Sequence, residues 1–226
     1  MIRLIATISA VLTGSSVLYF LVFHQRLSSR IEHTSQKGAL SKSSKPVTIN
    51  SIPQSVFTDQ YFALHDRASK SVLRESLPCS IPTELLFTKL ARRNMTIFTH
   101  FPQALMIRLM SKSSEEKRSF KASHISSLDF HEGDLVCGVY RVVARSSNKV
   151  EFEIKLKGMD FVNGRLALSF KEEGDAVVFC TETVMWRRVD EKQTMPLEKP
   201  VLRWMHETAA WWLIDSGVKY LTELET

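Results

Sequence analysis

A chain of 226 residues, 44% apolar and 24% charged, has room for one domain of about 100–200 residues plus an appendage, and its composition excludes a chain disordered throughout or a polytopic membrane protein. The formal charge of +6 does not indicate a nucleic-acid partner, because it is concentrated at one end: before residue 56 six basic residues face Glu32 alone, and beyond it 24 Lys and Arg face 23 Asp and Glu. Three widely spaced cysteines, Cys79, Cys137 and Cys180, form no CxxC pair and read as buried thiols in a reducing compartment.

The chain opens on an apolar run, Ile2 to Phe23, whose only charge is Arg3. At a rise of about 1.5 Å per residue such a helix is long enough for a bilayer, so residues 1–23 predict one transmembrane anchor; the run is too long for the apolar part of a cleaved signal peptide. The basic residues that follow it place the remaining chain in the cytoplasm, on the endoplasmic reticulum, by the positive-inside rule. Residues 24–55, rich in Ser, Thr and Lys, predict a basic tether with too little apolar surface to offset the entropy of ordering. Residues 56–226 are left as the folded domain.

Within that domain the stretch from Asp59 to Leu73 is mixed and predicts a short strand or helix. The segment "SIPTELLFTKLARRNMTIF" predicts a helix, with Ser80 as its cap, Pro82 in the first turn, Glu84 at the positive end of the helix dipole, and Leu85, Leu86, Leu90 and Ile97 at helical spacing. Pro102 interrupts it, and "QALMIRLMSK" predicts a second, shorter helix at an angle. From Phe120 the period changes. In "VEFEIKL" Val150, Phe152, Ile154 and Leu156 alternate with Glu151, Glu153 and Lys155, as in a strand with one apolar and one solvated face. "DLVCGVYRVVARS", "GRLALSFKEE" and "DAVVFCTETVMWRRV" predict further strands of an antiparallel meander, separated by turn-rich segments. Beyond Pro196 and Pro200 the segment from Arg203 to Leu221 predicts a long closing helix with His206 near the middle of its buried arc, and Ala210 and Gly217 leave room there for close approach or for a cavity.

This order of elements, two helices, an antiparallel meander and a long C-terminal helix, resembles the helix-grip fold of the START-like (SRPBCC) superfamily. The stretches "GDLVCGVYRV" and "MPLEKPVLRWMHE" are also similar to uncharacterised fungal natural-product pathway proteins. The expected fold class is therefore α+β, a helix-grip-like antiparallel sheet wrapped on the C-terminal helix and preceded by the transmembrane helix. The hot-dog thioesterase fold is the rival, although it ordinarily sets its long helix before most of its strands. The resemblance implies a cavity for an apolar, polyketide- or lipid-like molecule.

The sequence has no GxSxG elbow, Gly-rich phosphate loop, dinucleotide fingerprint or HExxH helix, and "HETAA" fails at the second histidine. These absences predict no metal, no nucleotide and no other cofactor. The expected function is a membrane-anchored tailoring or accessory enzyme of fungal secondary metabolism, cyclase- or dehydratase-like, working beside other pathway enzymes; the alternative is a non-catalytic lipid-binding or scaffold module at the membrane. Within the cavity His206, Tyr140 and Glu182 are the candidate catalytic residues. Trp186, Trp211 and Leu213 are the candidate substrate contacts. His65 and Asp66 are adjacent and would point in different directions on a regular element, so they predict no dyad.

Overall fold

The computed structural model describes residues 18–43 and 46–224. A helix over residues 18–28 (α1) leads into strand β1 (Glu32–Gly38), and β2 (Tyr61–Leu73) follows. Four helices come next: α2 (Thr83–Phe98), α3 (Pro102–Met110), α4 (Ser114–Arg118) and α5 (Ala122–Ser127). Strands β3 (Leu135–Val136), β4 (Tyr140–Ser146), β5 (Lys149–Lys155), β6 (Asn163–Glu173) and β7 (Ala176–Arg188) precede the closing helix α6 (Pro200–Thr222). All seven strands form one antiparallel sheet in the order β1-β2-β7-β6-β5-β4-β3. An α+β fold with an antiparallel meander and a C-terminal helix is what the order of elements predicts.

Each face of the sheet has its own cover. Val150, Phe152, Leu168, Val177 and Phe179 point to the side of α2 and α6 and form the main core with Leu86, Leu90, Ile214 and Val218. Alternate residues point to the opposite face, where Ala63, Ala167, Val184 and Trp186 pack with Leu40, Ile49, Ile52 and Val56. The sheet is therefore buried on both sides.

That second cover corrects the expected tether over 24–55. Glu32–Gly38 pairs with β2 along seven residues, and the segment after it is held by buried carboxylates on the sheet. Glu182 accepts hydrogen bonds from the Thr48 backbone N–H (3.0 Å) and hydroxyl and from His65 Nε2 (2.8 Å). Glu151 accepts from the Asn50 and Ser51 N–H groups (2.9 and 2.8 Å) and pairs with Lys149 (2.7 Å), whose ammonium also donates to the Thr48 carbonyl. Ionised carboxylates that accept backbone N–H groups anchor a polar segment without needing a wide apolar face. Glu151, expected on a solvated face, is buried for this reason.

The expected membrane span is also corrected. Most of its residues, 1–17, lie outside the described residues; among the described residues no helix is long and apolar enough to cross a membrane. In the described part of the run Leu18 to Val22 are exposed, and its last residue and the turns that follow join the folded unit. Phe23 packs on the main core, Leu27 and Ile31 are buried in it, and His24 meets α6. The reading of a single-pass membrane protein on the endoplasmic reticulum gives way accordingly.

The closing helix has no single apolar face because it is packed from three sides. Thr208 and Trp211 meet α1 and β1: His24 Nδ1 lies 2.7 Å from the Thr208 hydroxyl, and the Trp211 ring stacks on His24 at 4.7 Å and meets His33 at a tilt at 4.1 Å. The Thr208 proton goes to the Trp204 carbonyl (2.7 Å), so His24 Nδ1 is the donor in its pair. Gly217 touches α2, where an added Cβ would lie 2.4 Å from Leu90 and 2.7 Å from Asn94. The third side faces the sheet and is hollow.

Candidate functional site

A cavity of about 620 Å³ lies between α6, α3 and the inner face of the sheet. Helix α6 contributes Met205, His206, Ala209, Ala210 and Leu213, small and flexible side chains that leave the space open; β4 contributes Tyr140, β6 Leu166 and Leu168, and β7 Thr181, Thr183 and Met185. Helix α3 and the loop after β5 form the mouth, where Met106, Met110 and Met159 are exposed. The lining is mostly apolar with a few polar groups, the usual make-up of a site for a small organic molecule.

His206 is a polar group of this wall held in a desolvated environment. Its Nε2 is buried, has no hydrogen-bond partner and lies 3.8 Å from Asp66 Oδ2. The side chain keeps 28% of its surface, in a residue that lines the cavity, and burial pulls its pKa down to about 4. Asp66, on β2 and opposite Thr183 of β7, is pushed up to about 7 by burial and then by the negative charge of Glu207. Its Oδ1 is buried and unpartnered. A second such atom is Gln103 Oε1, on α3 and in the cavity lining.

Three of the six expected site residues line this space: His206, Tyr140 and Leu213. Tyr140 packs edge-on against Phe98 and Phe152, and burial, with the Cys137 thiol, raises its hydroxyl above the usual phenol range. The other three are corrected. Glu182 points to the opposite face of the sheet and holds the segment around Thr48; burial raises its carboxyl, but hydrogen bonds from His65 and Thr48 outweigh this and leave it below the usual value. Trp186 lies on that same far face, under the Arg165 guanidinium 5.6 Å from its ring centre. Trp211 faces α1 and β1. Strand alternation accounts for the first two: even-numbered residues of β7 face the outer cover and odd-numbered ones the cavity.

Asp66 is the site residue that the sequence reading set aside. His65 and Asp66 do point apart, and for that reason each meets a partner on its own face: His65 with Glu182, Asp66 with His206. A polar residue at an inward position of a strand was the available signal, but the inward positions of β2 could not be told before its register was known. Among the described residues, no three His, Cys, Asp or Glu side chains converge as a metal site requires.

No protein-family model and no curated protein matches the sequence. Among solved structures, the chain is similar to the crystal structure of CalU16 from Micromonospora echinospora, at 11% identity and a TM-score of 0.38, over 85% of this chain and 87% of that one. None of these findings bears on the expected fungal origin or secondary metabolism.

Proposed function

We infer that the protein binds an apolar small molecule in the cavity beneath α6 and that His206 acts on it as a proton donor or acceptor, in the manner of a cyclase or dehydratase. The observation that carries this reading is an apolar cavity of about 620 Å³ with a desolvated, unpartnered imidazole in its wall. A cavity of that volume can hold a flexible chain in one reactive shape and keep water away, and a group with an altered pKa can move the proton. The START-like reading of the fold is supported by the order of strands β1 and β2, helices α2 to α5, antiparallel meander and closing helix. Native mass spectrometry of the purified chain tests occupancy: a retained apolar molecule is expected, and an empty protein that takes up none from a mixed lipid and polyketide extract overturns the reading. With the retained molecule in hand, His206→Ala is expected to keep binding and to slow conversion by about 10²–10⁴-fold, the usual worth of one acid–base group.

The second reading is a carrier without chemistry. The exposed Met106, Met110 and Met159 at the mouth favour it, since thioether side chains adapt to varied apolar shapes. A molecule retained and released unchanged, in wild type and His206→Ala alike, decides for the carrier.

A further inference from the structure

Asp66 and His206 face each other across the junction of β2 and α6, and the registry of three elements sets the pair. Asp66 is opposite Thr183 of β7, which itself lines the cavity, so the carboxyl belongs to the same inward row as the cavity wall. His206 comes from α6, which packs on both β2 and β7. Asp66 Oδ1 and His206 Nε2 are both buried without a hydrogen-bond partner. Leaving two such atoms unpaired is costly, and an idle structural pair would be under pressure to relieve it by closing its gap or becoming apolar. His206 itself lines the cavity, and Nδ1 of its ring, unlike Nε2, is not a buried, unpartnered atom.

We propose that Asp66 is the positioning residue for His206, holding the ring with Nε2–H toward β2 and the Nδ1 lone pair toward the cavity, so that the two side chains carry one proton together. The proposal rests on the reading of His206 as the group that acts on the bound molecule. The step balances as follows. Nδ1 takes a proton from an acidified C–H or O–H of that molecule, whose bonding electrons stay behind on it; Nε2–H passes its own proton to Asp66 Oδ2. The imidazole ends neutral with its proton on Nδ1, and the carboxylate ends as a carboxylic acid. No cation is left buried, which suits a ring whose burial disfavours imidazolium and a carboxyl that burial keeps ready to accept a proton near neutral pH. The 3.8 Å gap must close by about 1 Å for the transfer, and such distances commonly tighten when a site is occupied. The charged group acting on the pair is Glu207 on α6, which raises the Asp66 carboxyl; Glu207 in turn lies 4.0 Å from Arg203 and acts on His24 of α1, which also feels His33 of β1. The molecule accepted is thus one with a hydrogen acidified enough to leave near neutral pH.

The test uses nitrogen-15 and carbon-13 spectra of the full chain labelled at histidine and aspartate, which need no known substrate. In wild type the His206 ring is expected to be neutral with its proton on Nε2 above pH 8, and its signals to follow a titration centred near pH 7 that also moves the Asp66 carboxyl carbon. Asp66→Asn is expected to abolish that titration at His206, and Asp66→Leu to release the ring into a mixture of tautomers. If Asp66→Leu does not fold, the Asp66 carboxyl titration in wild type and its loss at His206 in Asp66→Asn are sufficient. A tautomer on Nδ1 in wild type, or a midpoint near 7 that persists at His206 in Asp66→Asn, overturns the proposal. Occupancy by native mass spectrometry is scored separately, so an empty cavity with an intact pair and a filled cavity with an uncoupled ring are distinct outcomes.

Discussion

Burial favours the neutral form of both His206 and Asp66, with opposite consequences for stability. The Asp66 carboxyl, raised to about 7, contributes stability that is fully present below its unfolded value near 4 and is lost as pH rises through about 7. His206, lowered to about 4, contributes stability present above its unfolded value near 6.5 and lost as pH falls through about 4. Asp66→Asn keeps the shape and removes the charge, so its stability relative to wild type should improve by about 1–4 kcal/mol between pH 5 and pH 8, read from urea midpoints at the two pH values. An identical difference at both would mean that Asp66 is solvated. On the other face, Glu182→Ala strands the Thr48 N–H and the buried His65 ring. A loss of about 3–5 kcal/mol is expected, with faster amide exchange at Thr48. Because the Glu182 and Glu151 carboxyls lie below their usual values, their hold on residues 48–51 is complete above about pH 4.5 and is lost as pH falls below it.

Among the elements, α6 is the one through which the parts communicate. It meets α1 and β1 through Thr208 and Trp211, α2 through Gly217, and the cavity through Ala209 and Ala210. Its small residues therefore do two jobs: Gly217 lets two helices touch, and the alanines keep two layers apart. A methyl group at Gly217 would overlap the Leu90 side chain and the Asn94 amide. Gly217→Ala should cost about 1–3 kcal/mol despite the better helix propensity of alanine, measured as a fall in the urea midpoint. A stabilised variant would show that the α2–α6 contact is looser than described. The same contact buries Asn94, whose "NMT" sequence would otherwise mark a glycan acceptor.

For the whole molecule, one sheet separates an apolar cavity on its inner face from a polar clamp on its outer face, where Glu151 and Glu182 bind the segment around residues 48–51. The two faces should be separable by mutation. Ala209→Trp fills the cavity from α6 and is expected to reduce retention of the bound molecule at least about tenfold while leaving amide protection at Thr48 unchanged, whereas Glu182→Ala should do the reverse. Loss of both properties in either variant would mean that the faces are coupled through the sheet.

The amino-acid order by itself determined the α+β class, the α2 segment, the strand periodicity from Val150 to Ile154 and the long terminal helix with His206 facing inward, because these depend on local spacing of apolar residues, caps and turns. Only the tertiary structure decided the rest. The polar segment before residue 56 is ordered by carboxylates that lie far along the chain, at Glu151 and Glu182, and composition carries no trace of such partners. The end of the N-terminal apolar run is claimed by a core that forms around α6, and an apolar side chain is equally suited to lipid or to protein. Which residue of each adjacent pair lies on the inner face, Asp66 beside His206 and not His65, Thr183 in the cavity wall and not Glu182, was fixed by strand register, since a shift of one residue exchanges the two faces of a strand.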